Sequence, residues 1–291
     1  MTPTPAVADE PIVRLRHPWR WLAAILILIV LAQIVVYVAT TDAFRLDLVA
    51  QYFFDQRVLN GVVTTLQLTV LAMLVGVVGG VVLAVMRMSD NGVLRAVAGG
   101  FVWVFRGTPV LVQLYLWFYL GTVLPKVTLG VPFGPTLFTA STSDLISPLT
   151  AGILGLGLNE AAYMAEIVRG GINSVDRGQS EAAEALGLTP GQTFRRVVLP
   201  QAARVIVPPT GNEVITMLKL SSLVTIIGMT DLLGAVQQIS ARNLQTFPLF
   251  EVAALWYLLI TSILTVGQGM LERRFARGHR GVGSTLQLAG A

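Results

Sequence analysis

The stretch EAAEALGLTPGQTFRRVVLP, Glu181–Pro200, decides how the rest of the chain is read. Two short helices are expected within it. Ser180 can cap a first helix through Glu181-Ala182-Ala183-Glu184-Ala185-Leu186, and Gly187 suits the left-handed residue that ends it. Thr189 starts a second, with Pro190 at the first helical position and Gln192 at the third, the pattern of a capping box. That helix is expected to run to Leu199 and stop at Pro200. Ala182, Ala185 and Leu186 share one face at i, i+3, i+4 spacing, flanked by Glu181 and Glu184. Side chains this small let another protein's surface approach the backbone closely. Periodicity alone fits an amphipathic hairpin resting on a membrane or on the chain's own helix ends equally well.

Outward from this stretch the sequence turns apolar on both sides. Only 12% of its 291 residues are charged and 54% are hydrophobic, with a mean hydropathy of +0.71. A soluble domain carries about twice that share of charge. Six runs have the length that a bilayer core of about 30 Å requires, or nearly so. They are Trp19–Ala39, Val58–Met86, Phe101–Leu124, Pro148–Val168, Val205–Met229 and Phe250–Leu271. The third is interrupted at Arg106-Gly107-Thr108-Pro109; the fifth begins at Pro208-Pro209 and carries Glu213 and Lys219. The expected fold is therefore an all-α integral membrane protein with six transmembrane helices.

Basic residues set the expected orientation. With both termini inside, the cytoplasmic segments hold Arg14, Arg16, Arg20, Arg87, Arg95, Arg106, Arg169, Arg177, Arg195, Arg196, Arg204, Arg273, Arg274, Arg277 and Arg280. The outer segments hold Arg45, Arg57, Lys126 and Arg242, and Lys219 lies within the membrane. The net charge of +4 thus reads as positive-inside topology, not as a nucleic-acid footprint. The first run competes with a secretory leader, but is too long for an ordinary leader core. Cysteine is absent, and the two histidines, His17 and His279, lie in basic terminal segments; no metal site and no cofactor is expected. The segment Pro125–Ser147, rich in Gly, Pro, Ser and Thr, reads as an outer loop without helical period.

Several segments carry a family resemblance. Glu181-Ala182-Ala183, Gly187 and Leu199-Pro200 resemble the "EAA" loop of the membrane subunits of ABC importers. Arg106-Gly107-Thr108-Pro109 with Leu111-Val112-Gln113 is similar to a motif of the polar amino acid permease branch. So are Ala161-Ala162-Tyr163-Met164-Ala165-Glu166-Ile167-Val168-Arg169-Gly170-Gly171-Ile172, Gly178–Ala183, Leu199-Pro200-Gln201-Ala202 and Lys219-Leu220-Ser221-Ser222-Leu223. The resemblance implies a five-helix type I importer core over residues 57–275 with a coupling loop at 173–204. Around it stand an additional N-terminal helix at 19–39 and tails at 1–18 and 276–291. It implies partners too: two ATPase subunits, a second permease subunit and an extracytoplasmic solute-binding protein. In such systems the loop's short helix sits in a cleft of the ATPase, which places Glu181, Ala182, Ala183, Glu184, Gly187, Leu199 and Pro200 at that contact. The chain itself holds no G-x-x-x-x-G-K-[S/T] phosphate loop. It is expected to be a transport subunit and not an enzyme.

Charged groups within the bilayer are costly and usually functional. Glu160, midway along the fourth run, is the leading candidate to meet a substrate ammonium; Tyr163, Thr108 and Lys219 complete the candidate substrate set. Helix breaks at Gly107-Thr108-Pro109 and Pro208–Gly211 can offer free backbone N–H groups to a carboxylate. Lys219 can instead pair with Glu213 or Glu160. Glu166 and Arg169, at i, i+3, read as an ion pair or gate. Gly76 and Gly80 read as helix packing. An ion-coupled secondary amino acid transporter, with Glu160, Glu213 and Lys219 as its relay, is the alternative.

Overall fold

The computed structural model describes residues 18–41, 44–131 and 135–276. Arg14, Arg16, His17, Arg277, His279 and Arg280 lie outside the described residues, as does all but the innermost residue of each expected tail. The chain divides into two units, residues 1–46 and 47–291.

The first unit is built on α1, Pro18–Thr40. Its 23 residues span about 35 Å at the helical rise of 1.5 Å, enough for a bilayer core. Apolar side chains ring the helix with no polar face, the pattern of a helix that lies in lipid.

The second unit opens with α2, Leu46–Phe53, a short helix that buries Val49. The longest helix, α3, runs from Gln56 to Met88 and spans about 50 Å. Asp55 caps it, accepting from the Arg57 amide at 2.9 Å. Next comes α4, Gly92–Gly107, capped by Asn91, and a 105° bend at Thr108-Pro109 leads into α5, Val110–Phe118. Proline at 109 forces Thr108 out of helical geometry, which fixes the break where the sequence placed it. The short helix α6, Leu120–Val123, feeds β1, Lys126–Gly130, which pairs antiparallel with β2, Thr136–Ser141. This hairpin adds an extended element to the expected outer loop. Its base is tied where the Thr142 amide and hydroxyl donate to the Pro125 and Leu124 carbonyls, at the start of α7, Thr142–Leu145.

Ser147 then caps α8, Pro148–Asn173. Rich in Gly and Ala, α8 is the central helix: α3, α4, α5 and α11 all pack on it. The loop follows as α9, Arg177–Ala185, and α10, Pro190–Thr193. A π-helical stretch, Phe194–Val198, joins it to α11, Leu199–Leu220. A 3₁₀ stretch, Ser221–Ile227, ends at the left-handed Gly228 (φ 78°); α12, Leu232–Asn243, and α13, Thr246–Ala276, complete the chain.

Among the described residues, three helices are long and apolar enough to cross a membrane: Trp19–Tyr37, Gln56–Met88 and Thr246–Phe275. Two bent pairs bring the number to five, α4 with α5, and Pro190–Ile227 with α12 across 46°. The sixth expected run is α8. Its glycines and polar residues lower its hydropathy, and the helices wrapped around it supply the apolar contact that lipid would otherwise give.

Four expectations are corrected. The first loop helix starts at Arg177 and not after Ser180, because Asp176 takes the cap, accepting from the Gly178 amide at 2.7 Å. The second does not stop at Pro200. The wider π turn just before Pro200 leaves its missing N–H without consequence, and the helix continues as α11. Pro208 and Pro209 sit inside α11 and do not begin it. The fifth run ends at Ile227, and α12 follows as a separate helix in what was read as an outer segment.

Four apolar clusters hold the bundle among the described residues, and two of them are the largest. Leu68, Leu114, Leu156, Met217 and Val224 join α3, α5, α8, α11 and the 3₁₀ stretch. Val58, Val62, Leu232, Val236 and Val252 gather at the start of α3, where Phe53 stacks on Trp256 with ring centroids 4.8 Å apart. A buried polar knot lies beside them. Asp231 accepts from the Thr225 hydroxyl (2.6 Å), the Gly234 amide (2.9 Å) and the Tyr257 hydroxyl (3.3 Å). The Leu232 amide donates to the Thr65 hydroxyl at 3.0 Å, so the knot ties α3, α12 and α13 at one point.

Candidate functional site

Glu160 is 3% exposed, on the face of α8 that meets α3. Gly76 makes its place: a β-carbon there would lie 2.7 Å from the Glu160 Cβ and overlap its Cγ. Gly80 does the same one turn on, against Met164. The small-residue spacing on α3 is thus packing, and what it packs against is a carboxylate. Glu160 Oε1 is buried and has no hydrogen-bond partner. Glu213, half-buried on α11, is the charge that acts on it. No lysine or arginine pairs with either among the described residues. Lys219, a candidate substrate ligand that could instead pair with Glu213 or Glu160, is exposed and forms no ion pair among the described residues.

The helix break lies close to the preceding residue. Asn159, also buried, donates to the Phe105 carbonyl at 2.7 Å. Gln113 donates to that carbonyl (2.9 Å), to the Thr108 carbonyl (3.1 Å) and to the Thr108 hydroxyl (2.9 Å). The Thr108 hydroxyl itself donates to the Val104 carbonyl at 2.9 Å. Its proton is therefore committed, and Thr108 reads as part of the knot that fixes the bend. Gln113 and Asn159 carry no charge, and their partners lie 5 to 54 residues away, so nothing local in the sequence flags them. Tyr163, one turn beyond Glu160, is partly exposed under the Arg106 guanidinium, 5.0 Å from its ring centre, in a cation–π contact.

Towards the far end of α8, Arg169 donates to Glu166 through Nη2 at 2.6 Å. Arg87, near the end of α3, pairs with the other Glu166 oxygen. Sequence spacing found the first contact; the second partner is 79 residues away and carries no local signal. One carboxylate shared by two arginines ties the ends of the two most closely packed helices.

In the loop, Gly187 has φ 82°, and its amide donates to the Glu184 carbonyl at 2.9 Å while the Leu188 amide reaches Ala183 at 3.1 Å. This is a Schellman ending. The Thr189–Gln192 capping box is formed in both directions. Ala182, Ala185 and Leu186 are exposed, Leu186 to 82%, whereas Ala183 is buried. Glu181, Glu184, Leu199 and Pro200 are also exposed.

A bundle of long apolar helices, two of them broken, with the unpaired carboxylates of Glu160 and Glu213 inside it, defines a polytopic membrane transport protein. Residues 76–277 match the family described as the binding-protein-dependent transport system inner membrane component. The chain belongs to that family, and within it to the polar amino acid permease subunits of ABC importers. It is 46% identical over 276 residues to the arginine transport system permease protein ArgU of Corynebacterium glutamicum, covering 94% of this chain and 86% of the relative. It is 38% identical over 213 residues to the nopaline transport system permease protein NocM of Agrobacterium fabrum, covering 72% and 83%. A solved amino acid ABC transporter, crystallised with histidines, superposes with a TM-score of 0.66 at 35% identity, over 77% of this chain and 97% of that one. The methionine transporter MetNI, at 20% identity and a TM-score of 0.59, shares the fold. Membership places the chain in a bacterial inner membrane as a multi-pass protein and sets the ion-coupled alternative aside.

Proposed function

We propose that this chain forms the membrane path for a cationic amino acid. The substrate is delivered from outside by a solute-binding protein, and the path is driven from the cytoplasm by two ATPase subunits with a second permease subunit alongside. One observation carries the choice of substrate: Glu160 is buried with a free oxygen, Glu213 lies half-buried on α11, and no cation of the chain pairs with either among the described residues. A guanidinium or ammonium arriving in the path would supply the missing charge. Burial makes that pairing specific, because an unpaired charge within the membrane is costly in either partner. That the relative ArgU is a permease of an arginine transport system supports the same reading. Tyr163, one turn along the same helix, is proposed to wall the path.

The α9–α10 segment is the contact for the ATPase. Ala182, Ala185 and Leu186 face outward with nothing of this chain upon them, and Glu181 and Glu184 border them with charge. With this segment cytoplasmic, both termini are placed inside, and the start of α3 faces outward.

The test uses the complex of permease, ATPase and binding protein in lipid vesicles. Glu160→Gln keeps the side chain's volume and removes its charge. Arginine uptake is expected to fall at least tenfold while ATPase subunits still co-purify. Uptake unchanged in Glu160→Gln would remove the carboxylate from the substrate path.

A further inference from the structure

A cavity of about 330 Å³, its lining part polar and part apolar, lies at the start of α3, the end remote from Arg87 and the α9–α10 segment. Arg57, Asn60 and Thr64 of α3 and Gln238 and Arg242 of α12 line it, with Gly61 at its floor. A β-carbon on Gly61 would lie 2.9 Å from the Asp231 carbonyl oxygen and from the Leu232 Cα, so α3 and α12 meet backbone to backbone beneath the cavity. The Asp231 knot fixes both helices there, and the floor is rigid.

The hydrogen bonds within the lining leave a defined set of groups free. Arg57 is committed to Asp55, through Nε at 3.0 Å and Nη2 at 2.9 Å, and this bond holds the Asp55 carboxyl below its usual range. Gln56 donates to Asn60 Oδ1 at 2.9 Å, which leaves the Asn60 amide hydrogens free. Thr64 donates to the Asn60 carbonyl at 3.0 Å, leaving the lone pairs of its hydroxyl. Gln238 donates to Thr230 at 2.8 Å, leaving its carbonyl oxygen. Arg242 has no ion pair among the described residues. The lining thus holds one guanidinium without an ion pair and an amide donor, together with a carbonyl and a hydroxyl acceptor. That is the complement of a zwitterion: the guanidinium takes a carboxylate in a forked bond, and the neutral acceptors take an ammonium. The volume lies at the lower bound of small-molecule sites, roughly 300–1,000 Å³.

Resting on the amino acid import reading, we propose that this cavity is a reception site. In it Arg242 and Asn60 hold the α-carboxylate of the free amino acid, and Gln238 and Thr64 its α-ammonium, before it passes to Glu160. The site recognises the backbone of the amino acid and leaves its side chain to be read further in.

The test is made on the full complex in vesicles, with labelled L-arginine as probe and both uptake and ATP hydrolysis followed against binding-protein concentration. Arg242→Gln is expected to lower uptake per ATP five- to tenfold with the half-saturating binding-protein concentration unchanged, and Arg242→Lys, which keeps the charge but loses the fork, to give a smaller loss, between wild type and Arg242→Gln. Gln238→Leu carries the same test on the ammonium side, with an expected loss of about threefold, should Arg242→Gln fail to assemble. A rise in the half-saturating binding-protein concentration with uptake per ATP unchanged would make Arg242 a docking contact and overturn the proposal. Unchanged behaviour in both variants would overturn it as well. A wild-type complex that moves no amino acid at all would refute the import reading, and this site with it.

Discussion

Replacing Gly76 with alanine tests whether the Glu160 carboxylate is held against α3 as described. The added methyl lies 2.7 Å from the Glu160 Cβ and closer still to its Cγ. Ordinary carbon contacts lie near 3.5–4.0 Å, so about 1 Å must be found. Glu160 cannot yield it cheaply, since Gly80 against Met164 fixes the same two helices one turn away. Forced overpacking of this kind costs about 1–3 kcal/mol. Taking about 2 kcal/mol, a unit of this size loses roughly 4–8 °C in Tm. Thermal unfolding of the purified complex reads that loss directly. Glu160→Ala removes the Cγ that the methyl strikes, so Gly76→Ala should cost less in its presence. The interaction between the two changes is expected at about 1 kcal/mol or more in a double-mutant cycle. Arginine uptake by Gly76→Ala should also fall, because the carboxylate is displaced from its place against α3. Additive effects, or a Tm within 1 °C of wild type by the small-effect standard of about 0.5 kcal/mol, would refute the packing argument.

Further outcomes are expected elsewhere in the chain. Gly187→Val forces a β-branched residue into φ 82°, costing about 1–2 kcal/mol locally. Uptake should fall severalfold while the α3–α8 bundle keeps its Tm, and full uptake would remove the loop from coupling. Glu184→Lys leaves the fold intact, since the side chain is exposed, and should weaken co-purification of the ATPase; undiminished recovery counts against the docking face. Thr189→Ala removes the capping box and should cost about 1 kcal/mol, read as faster hydrogen exchange in α10. Glu166→Gln leaves Arg87 and Arg169 without their shared anion, and a loss of about 1–3 kcal/mol in thermal unfolding is expected.

Local chemistry wrote its outcome plainly in the sequence. Gly187 and the Thr189–Gln192 box act over three or four residues, and the structure holds them as expected. The break at Thr108-Pro109 was equally visible, because proline constrains its neighbour whatever the tertiary context. Competition between equivalent signals caused the misplacements. Asp176 and Ser180 are both good caps, and only the chain's path selects the first. Pro200 is an ordinary stop signal that a π turn disarms, and π geometry has no sequence signature of its own. What stayed hidden was long-range: Arg87 to Glu166, Thr65 to the Leu232 amide, Asn159 to the Phe105 carbonyl. For the site, a carboxylate within an apolar run marked Glu160, whereas its missing counter-charge emerged only when Lys219 turned outward.

The π stretch also has a mechanical consequence. By absorbing Pro200, it makes Pro190–Ile227 one continuous helical rod. At about 1.5 Å per residue such a rod is on the order of 55 Å long. A tilt of 5° about one end carries the other through about 5 Å, the height of one helical turn. Whatever grips the Thr189 end thus moves one end of a helix that reaches the middle of the bundle, and Glu213 rides on it. Pro208 and Pro209 each remove a hydrogen bond from that helix, so how firmly its neighbours hold it there sets how much of a stroke survives the journey.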